Sequence, residues 1–255
     1  MSFLKVQIYL LIEKQKHTIM KHENAIGFGS EHRKKHEQQE AWVANYLDTN
    51  FYPYISRNFE RNHETSTQKM GIDLTITGAT QVITIDEKAS VEWCNCGLNK
   101  YSMELSLLSK DKDTGYYYEI NGWYMANSIS THVGIVFIDS ATTVSDRYLT
   151  GSGITEVTVV IINKNKFQQK LDSMGWTKAN LKRKNDQIRS AYNEYGNDYI
   201  NYVNCGKLDY NTPHFFIQEK PEEHGINIQF TKQFLIDNSD YSAKVKDGKI
   251  ITLKK

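Results

Sequence analysis

Asp73, Asp86 and Lys88 are the residues whose types and spacing point most directly to chemistry. Asp86 follows Asp73 by thirteen positions and Lys88 follows Asp86 by two. Both acids sit in apolar, strand-like runs, Gly71-Ile72-Asp73-Leu74-Thr75-Ile76-Thr77 and Gln81-Val82-Ile83-Thr84-Ile85-Asp86-Glu87-Lys88-Ala89, separated by a turn at Thr77-Gly78-Ala79-Thr80. A hairpin made of these runs brings two carboxylates and one ammonium to one patch of sheet. Side chains alternate along a strand, so Asp86 and Lys88 point one way and Glu87 the other. Two carboxylates about 4 Å apart repel by roughly 4 kcal/mol at an effective dielectric of about 20. A divalent cation reverses the sign of that interaction, because hard oxygen donors are what Mg²⁺ prefers. The plainer alternative is an exposed hairpin whose charges only solvate one face.

A helix is expected over residues 31–47, with Gly27, Gly29 and Ser30 before it and Asp48-Thr49-Asn50 after it. Val43, Tyr46 and Leu47 form an apolar stripe at helical spacing. Glu40 lies three residues before Val43 and seven before Leu47, which assigns it to the same inward stripe. Glu37 falls one turn earlier, nearer the edge. A glutamate on a buried stripe needs a partner or a coordinated ion, since a lone buried carboxylate is costly. The alternative is a rim glutamate whose head reaches water.

An inward helical Glu, a strand Asp and a downstream D-x-K on the next strand together resemble the PD-(D/E)XK nuclease superfamily, whose core runs helix, three-stranded meander, helix, strand. The spacing is similar to that of archaeal-type Holliday-junction resolvases. The segment Tyr101-Ser102-Met103-Glu104-Leu105-Ser106 and Gly122-Trp123 look like pieces of uncharacterised phage and bacterial members. The likeness covers about residues 30–140. It departs at Ile72, where the superfamily name has proline, and at Asp86, where Glu is more frequent. It implies hydrolysis of DNA phosphodiester bonds. Glu40, Asp73 and Asp86 would hold Mg²⁺ or Mn²⁺, the backbone carbonyl of Glu87 would complete the metal shell, and Lys88 would be the catalytic lysine. It also implies a two-fold homodimer, with the N-terminal apolar segment or the C-terminal strands as the surfaces that could supply the interface.

Composition adds less. The net charge is +1, so no global basic field announces nucleic acid. A local one lies at residues 164–189, where Lys164, Lys166, Lys170, Lys178, Lys182, Arg183, Lys184 and Arg189 face only Asp172 and Asp186. Lys178, Lys182, Arg183 and Lys184 are the phosphate-contact candidates of that stretch; the alternative is a pair of solvated helices. Trp93, Tyr101, Tyr116, Tyr117, Tyr118 and Trp123 surround the acids in sequence and could stack on bases or fill a core. Cys94, Cys96 and Cys205 have no zinc-ligand spacing. His32 and His36 share a helical face without an H-E-x-x-H string. An odd cysteine count without a secretory signal points to a cytoplasmic setting. The apolar run 6–12 is too short to span a bilayer, so no membrane partner is expected. Met20 could be an alternative start.

Buried strands are expected at 133–138 and 157–162, helices near 166–174 and 179–195, and late strands at 214–217 and 226–230. Segments 111–118 and 144–153 read as loops. The expected architecture is α/β (α+β): a restriction-endonuclease-like core with a central mixed sheet flanked by helices, at 30–140, and a C-terminal elaboration at 141–255. Residues 1–25 form an N-terminal extension, and 26–255 one nuclease-like domain. The competing functional reading is a nucleic-acid-binding or interaction protein that keeps the nuclease fold without turnover.

Overall fold

The computed structural model describes residues 30–63, 71–78, 80–111, 113–218 and 223–255. The apolar run 6–12, Met20 and the side chain of His32 lie outside what is described.

The first helix, α1 (Ser30–Asn50), leads into the short α2 (Tyr52–Ile55). Strands β1 (Phe59–Arg61), β2 (Leu74–Thr77) and β3 (Val82–Ala89) follow as an antiparallel meander. Leu74 pairs with Ile85, and the Gly78 N–H closes the turn onto the Gln81 carbonyl at 2.8 Å. The chain then leaves the sheet through β4 (Lys100–Lys110) and β5 (Tyr117–Asn121) and returns as β6 (His132–Ala141), parallel to β3. The resemblance implies a helix between the meander and that returning strand, and here the structure differs. Tyr101, Met103 and Leu105 alternate with polar residues, a two-residue period that suits a strand with one buried face.

After β6 a small hairpin, β7 (Val144–Ser145) and β8 (Tyr148–Leu149), stands within the expected loop. Strand β9 (Ile154–Asn163) pairs antiparallel with β6. Helices α3 (Lys164–Ser173) and α4 (Lys178–Tyr195) start where Asn163 and Thr177 accept first-turn N–H groups as caps. Strands β10 (His214–Ile217) and β11 (Ile226–Thr231) join β4 and β5 in a four-stranded sheet of order β10-β11-β4-β5. Helix α5 (Lys232–Asp237) leads to a terminal hairpin, β12 (Tyr241–Lys246) and β13 (Lys249–Lys254), which sequence reading did not anticipate. It completes a seven-stranded mixed sheet of order β1-β2-β3-β6-β9-β12-β13.

That large sheet is the middle layer. On β6, Val133, Ile135 and Phe137 face the four-stranded sheet and helices α3–α5, whereas Val136 and Ile138 face α1 and the β7–β8 hairpin. Both faces of β6 and β9 are therefore apolar, as a central strand requires. Each fully buried Leu, Ile, Val or Phe adds about 1.5–3 kcal/mol of driving force. The coarse expectation of an α/β protein with a mixed sheet flanked by helices matches this architecture. Among the described residues no helix is long and apolar enough to cross a membrane.

Candidate metal and phosphate site

On β3, Ile85 and Glu87 turn toward α1 while Asp86 and Lys88 turn toward the four-stranded sheet, as strand alternation dictates. Asp86 is 3% exposed, and the Lys88 ammonium lies 2.6 Å from its Oδ1. Asp73 stands just before β2, where its N–H donates to the Ile85 carbonyl at 2.9 Å. Its Oδ2 accepts the Glu87 backbone N–H at 2.7 Å. The hairpin thus delivers both carboxylates and the lysine to one face.

The electrostatics of the pair are asymmetric. Burial pushes Asp73 up to about 6, with Asp86 adding to the rise while the Lys88 ammonium and the Glu87 N–H oppose it. For Lys88, burial works to lower the pKa, but contact with Asp86 and the charges of Asp73 and Glu40 outweigh it, so the net direction is upward. Lys88 is therefore a firmly held cation, not a lysine poised to lose its proton.

Glu40 departs from expectation. Among the described side chains of α1 the buried ones are Gln39, Val43 and Leu47, with Phe51 just beyond its end, so the stripe advances by four residues and passes through 39 rather than 40. Gln39 fills that slot, donating to the Leu149 carbonyl at 2.7 Å. Glu40 sits about 100° further round the helix, with 58% of its side chain exposed and Oε1 at 3.2 Å from His36 Nδ1. Burial raises its pKa, but the His36 hydrogen bond and the charges of His36 and Lys88 bring the net value below the ordinary one. It overlooks the site electrostatically without joining the donor set.

Glu87 serves the opposite face. Its carboxylate accepts from Tyr52 Oη at 2.5 Å and from Arg61 Nη1. Arg61 also holds Asp48 of α1 through two bonds of 2.7 Å. The Glu87 side chain thus fastens the hairpin to α1–α2, and the expectation for the metal shell concerns its backbone carbonyl.

Three groups at the site escaped sequence reading in that role. Lys164, the first residue of α3, puts its ammonium 3.8 Å from Asp86 Oδ2 and donates to Ser128 Oγ at 3.0 Å and Ser130 Oγ at 2.5 Å. Burial lowers its pKa, and the neighbouring Lys88 adds to that. Glu104 on β4 is pushed up to about 7 by burial and by Glu223, against the pull of the Trp123 N–H and Lys88. Tyr101, beside Phe137 at 5.8 Å between ring centres, has its hydroxyl pKa raised by burial and by Asp86, Glu40 and Glu104. Two glycines make this crowding feasible. A Cβ on Gly71, whose φ is +72°, would meet Ser128 Oγ at 2.5 Å and approach Asp86 Oδ2 at 3.5 Å. One on Gly122 would meet the Glu104 carbonyl oxygen at 2.5 Å.

The phosphate-contact candidates divide. Lys178, the first residue of α4, donates to the Tyr124 carbonyl at 2.6 Å and lies 4.1 Å from that ring's centre. Partial burial and the charge of Lys164 push its pKa down to about 8. Lys182, Arg183 and Lys184 line a different hollow along α4 whose walls include none of the metal candidates. There Lys182 pairs with Asp186 at 3.1 Å and Lys184 donates to the Asn204 carbonyl. Of the aromatic residues, Trp123 lies 5.9 Å from the Lys88 ammonium, whereas Tyr116 and Tyr117 are exposed at the other end of β4–β5.

Among the described residues no three acidic, histidine or cysteine side chains form a ready metal cage. The oxygen donors that converge are Asp73 and Asp86. One or two carboxylates, with water and phosphate oxygens, is a common way for a protein to hold Mg²⁺. The mutual repulsion that helps keep Asp73 high is what such an ion would relieve. The residues present therefore fit a two-carboxylate Mg²⁺ or Mn²⁺ site. No family model matches this chain, and neither a curated protein nor a solved structure does.

Proposed function

We propose that the chain is a metal-dependent DNA endonuclease of the PD-(D/E)XK type, with Asp73, Asp86 and Lys88 as its catalytic group. The observation that carries this reading is the convergence of those three side chains on one face of the β2–β3 hairpin, with Lys88 2.6 Å from Asp86. Asp73 and Asp86 would hold Mg²⁺ or Mn²⁺, and that ion would supply an acidified water and charge stabilisation on the scissile phosphate. Lys88, held as an ammonium by Asp86, neutralises charge that builds on the phosphate oxygens and orients the attacking water. Lys164 brings a second ammonium from the opposite side of Asp86. Lys178 extends this positive flank toward the entering strand. Glu40, on the rim, pairs with His36 and adds negative charge facing Lys88.

The test is incubation of the purified protein with labelled four-way junction, duplex, flap and single-stranded DNA in Mg²⁺, Mn²⁺ or EDTA. Cutting that requires metal and leaves 5′-phosphate and 3′-hydroxyl ends is the expected result. A second reading, a nucleic-acid-binding protein without turnover, draws on the turned-away Glu40 and on two lysines already balancing Asp86. Salt-sensitive binding of DNA with no cutting of any of the four would favour it.

A further inference from the structure

A cleft of about 570 Å³ opens beside the lysine end of β3. Its walls begin at Ala89 and Ser90, directly after Lys88, and include Tyr101 of the site and His36, the partner of Glu40. The cleft therefore neighbours the carboxylate cluster, with Tyr101 between them. That volume falls within the range of about 300–1,000 Å³ that suits a small planar ligand.

The lining is aromatic with a polar floor. Trp93 is 43% exposed and lies under the Arg147 guanidinium, 3.9 Å from its ring centre. On β10, the His214 and Phe216 rings lie parallel within 9°, 5.9 Å apart. Beside them on β11, paired with His214, the buried Gln229 donates from Nε2 to Ser102 Oγ at 3.0 Å, which leaves its amide oxygen as an acceptor. His214 Nδ1 contacts the Gly206 carbonyl at 2.9 Å; a carbonyl only accepts, so Nδ1 carries the proton and Nε2 is the ring's acceptor. Flat apolar faces with a few amide and imidazole groups match a nucleobase, which offers a π-face and an edge of donors and acceptors. Lys100 at the start of β4 and Glu92 are the charged residues of the lining, and Arg147 of the β7–β8 turn reaches its edge over the Trp93 ring, a cation able to meet a phosphate beside a stacked base.

We infer that this cleft receives an unpaired nucleobase from the strand whose phosphate lies at Asp73 and Asp86. This rests on the nuclease reading, and it narrows the substrate class to DNA with unpaired nucleotides, such as single strands, flaps or branch points. A base held in a fully paired duplex cannot enter without being unstacked and extruded.

The experiment uses Asp86→Asn protein in Mg²⁺ with a single-stranded oligodeoxynucleotide carrying 2-aminopurine, and with the same sequence fully paired. The expected result is a changed 2-aminopurine emission on the single strand and tighter binding of it than of the duplex. Adding Trp93→Ala or Phe216→Ala should weaken the single strand about 5- to 100-fold and leave duplex binding nearly unchanged, whereas Trp93→Phe should restore it. Trp93 is exposed, so its replacement keeps the test open even where the Phe216 variant unfolds. Equal losses on both DNAs, or none, overturn the base cleft even where wild-type protein cuts DNA. Base-dependent binding by a wild-type protein that cuts nothing keeps the cleft and overturns the nuclease. Failure to bind either DNA overturns both.

Discussion

At the scale of residues, the account turns on how one carboxylate is held above its ordinary pKa. Asp73 sits near 6 in the fold against an ordinary 3.8. Between those values the folded protein carries a proton that the unfolded chain has released, so the group costs stability as pH rises through the window. The full cost is present above pH 6 and absent below about pH 4. Asp73→Asn removes it and keeps an oxygen for the Glu87 N–H. The variant should match wild type at pH 4 in urea unfolding and exceed it by about 1–3 kcal/mol at pH 7.5. Added Mg²⁺ should close the gap by stabilising wild type alone. A difference independent of pH would place the perturbation elsewhere. The same scale shows where sequence reading stopped. Strand alternation was enough to separate Asp86 and Lys88 from Glu87. Glu40 was misplaced because three- and four-residue steps fit the same short apolar stripe, and the docked sheet selects the stripe through Gln39. Lys164 reaches Asp86 across 78 positions, a contact that no local spacing encodes.

At the scale of elements, the hairpin works only if it is fastened to α1. Arg61 of β1 does this by binding Asp48 and Glu87 together, with Tyr52 closing the cluster. Its guanidinium is largely buried, so Arg61→Ala leaves Glu87 with an uncompensated charge on the inner face. The expected loss is about 3–5 kcal/mol in chemical unfolding, with Glu87→Gln in the same background recovering part of it. A loss below 1 kcal/mol would show that apolar packing of Val43 and Leu47 alone seats the helix. Elements with strong local signals were legible in the sequence: α1, the hairpin, the doubly buried β6 and β9, and the capped α3 and α4. The β4–β5 pair and the terminal hairpin were not. Strand β4 gains its partner β11 more than a hundred residues later, and β9 gains β12 about 80 to 90 later. Such pairings are decided by tertiary packing and leave only a weak alternation in the chain.

At the scale of the whole molecule, the seven-stranded sheet separates two tasks. Its α1 face is a fastening surface, its other face, toward the smaller sheet, carries the carboxylates with Lys88 and Lys164, and the aromatic cleft opens past the end of β3 with walls from both α1 and the smaller sheet. A net charge of +1 means that DNA would be drawn by local strips rather than by a global field, so affinity should fall with salt only as far as those few cations contact phosphate. The sequence located the hairpin that gathers Asp73, Asp86 and Lys88 and the class of the sheet, but the cleft arises from β3, β4, β10 and α1 together and has no signature in any one of them. The central claim is most directly tested by single-turnover cleavage of a labelled flap or single-stranded DNA in Mg²⁺ by wild type, Asp86→Asn and Lys88→Met, each checked for folding by thermal unfolding. The expected result is cutting by wild type, losses of about 10²–10⁴-fold or more in both variants, and no cutting in EDTA. Equal cutting by folded Asp86→Asn, or cutting that persists in EDTA, would contradict it.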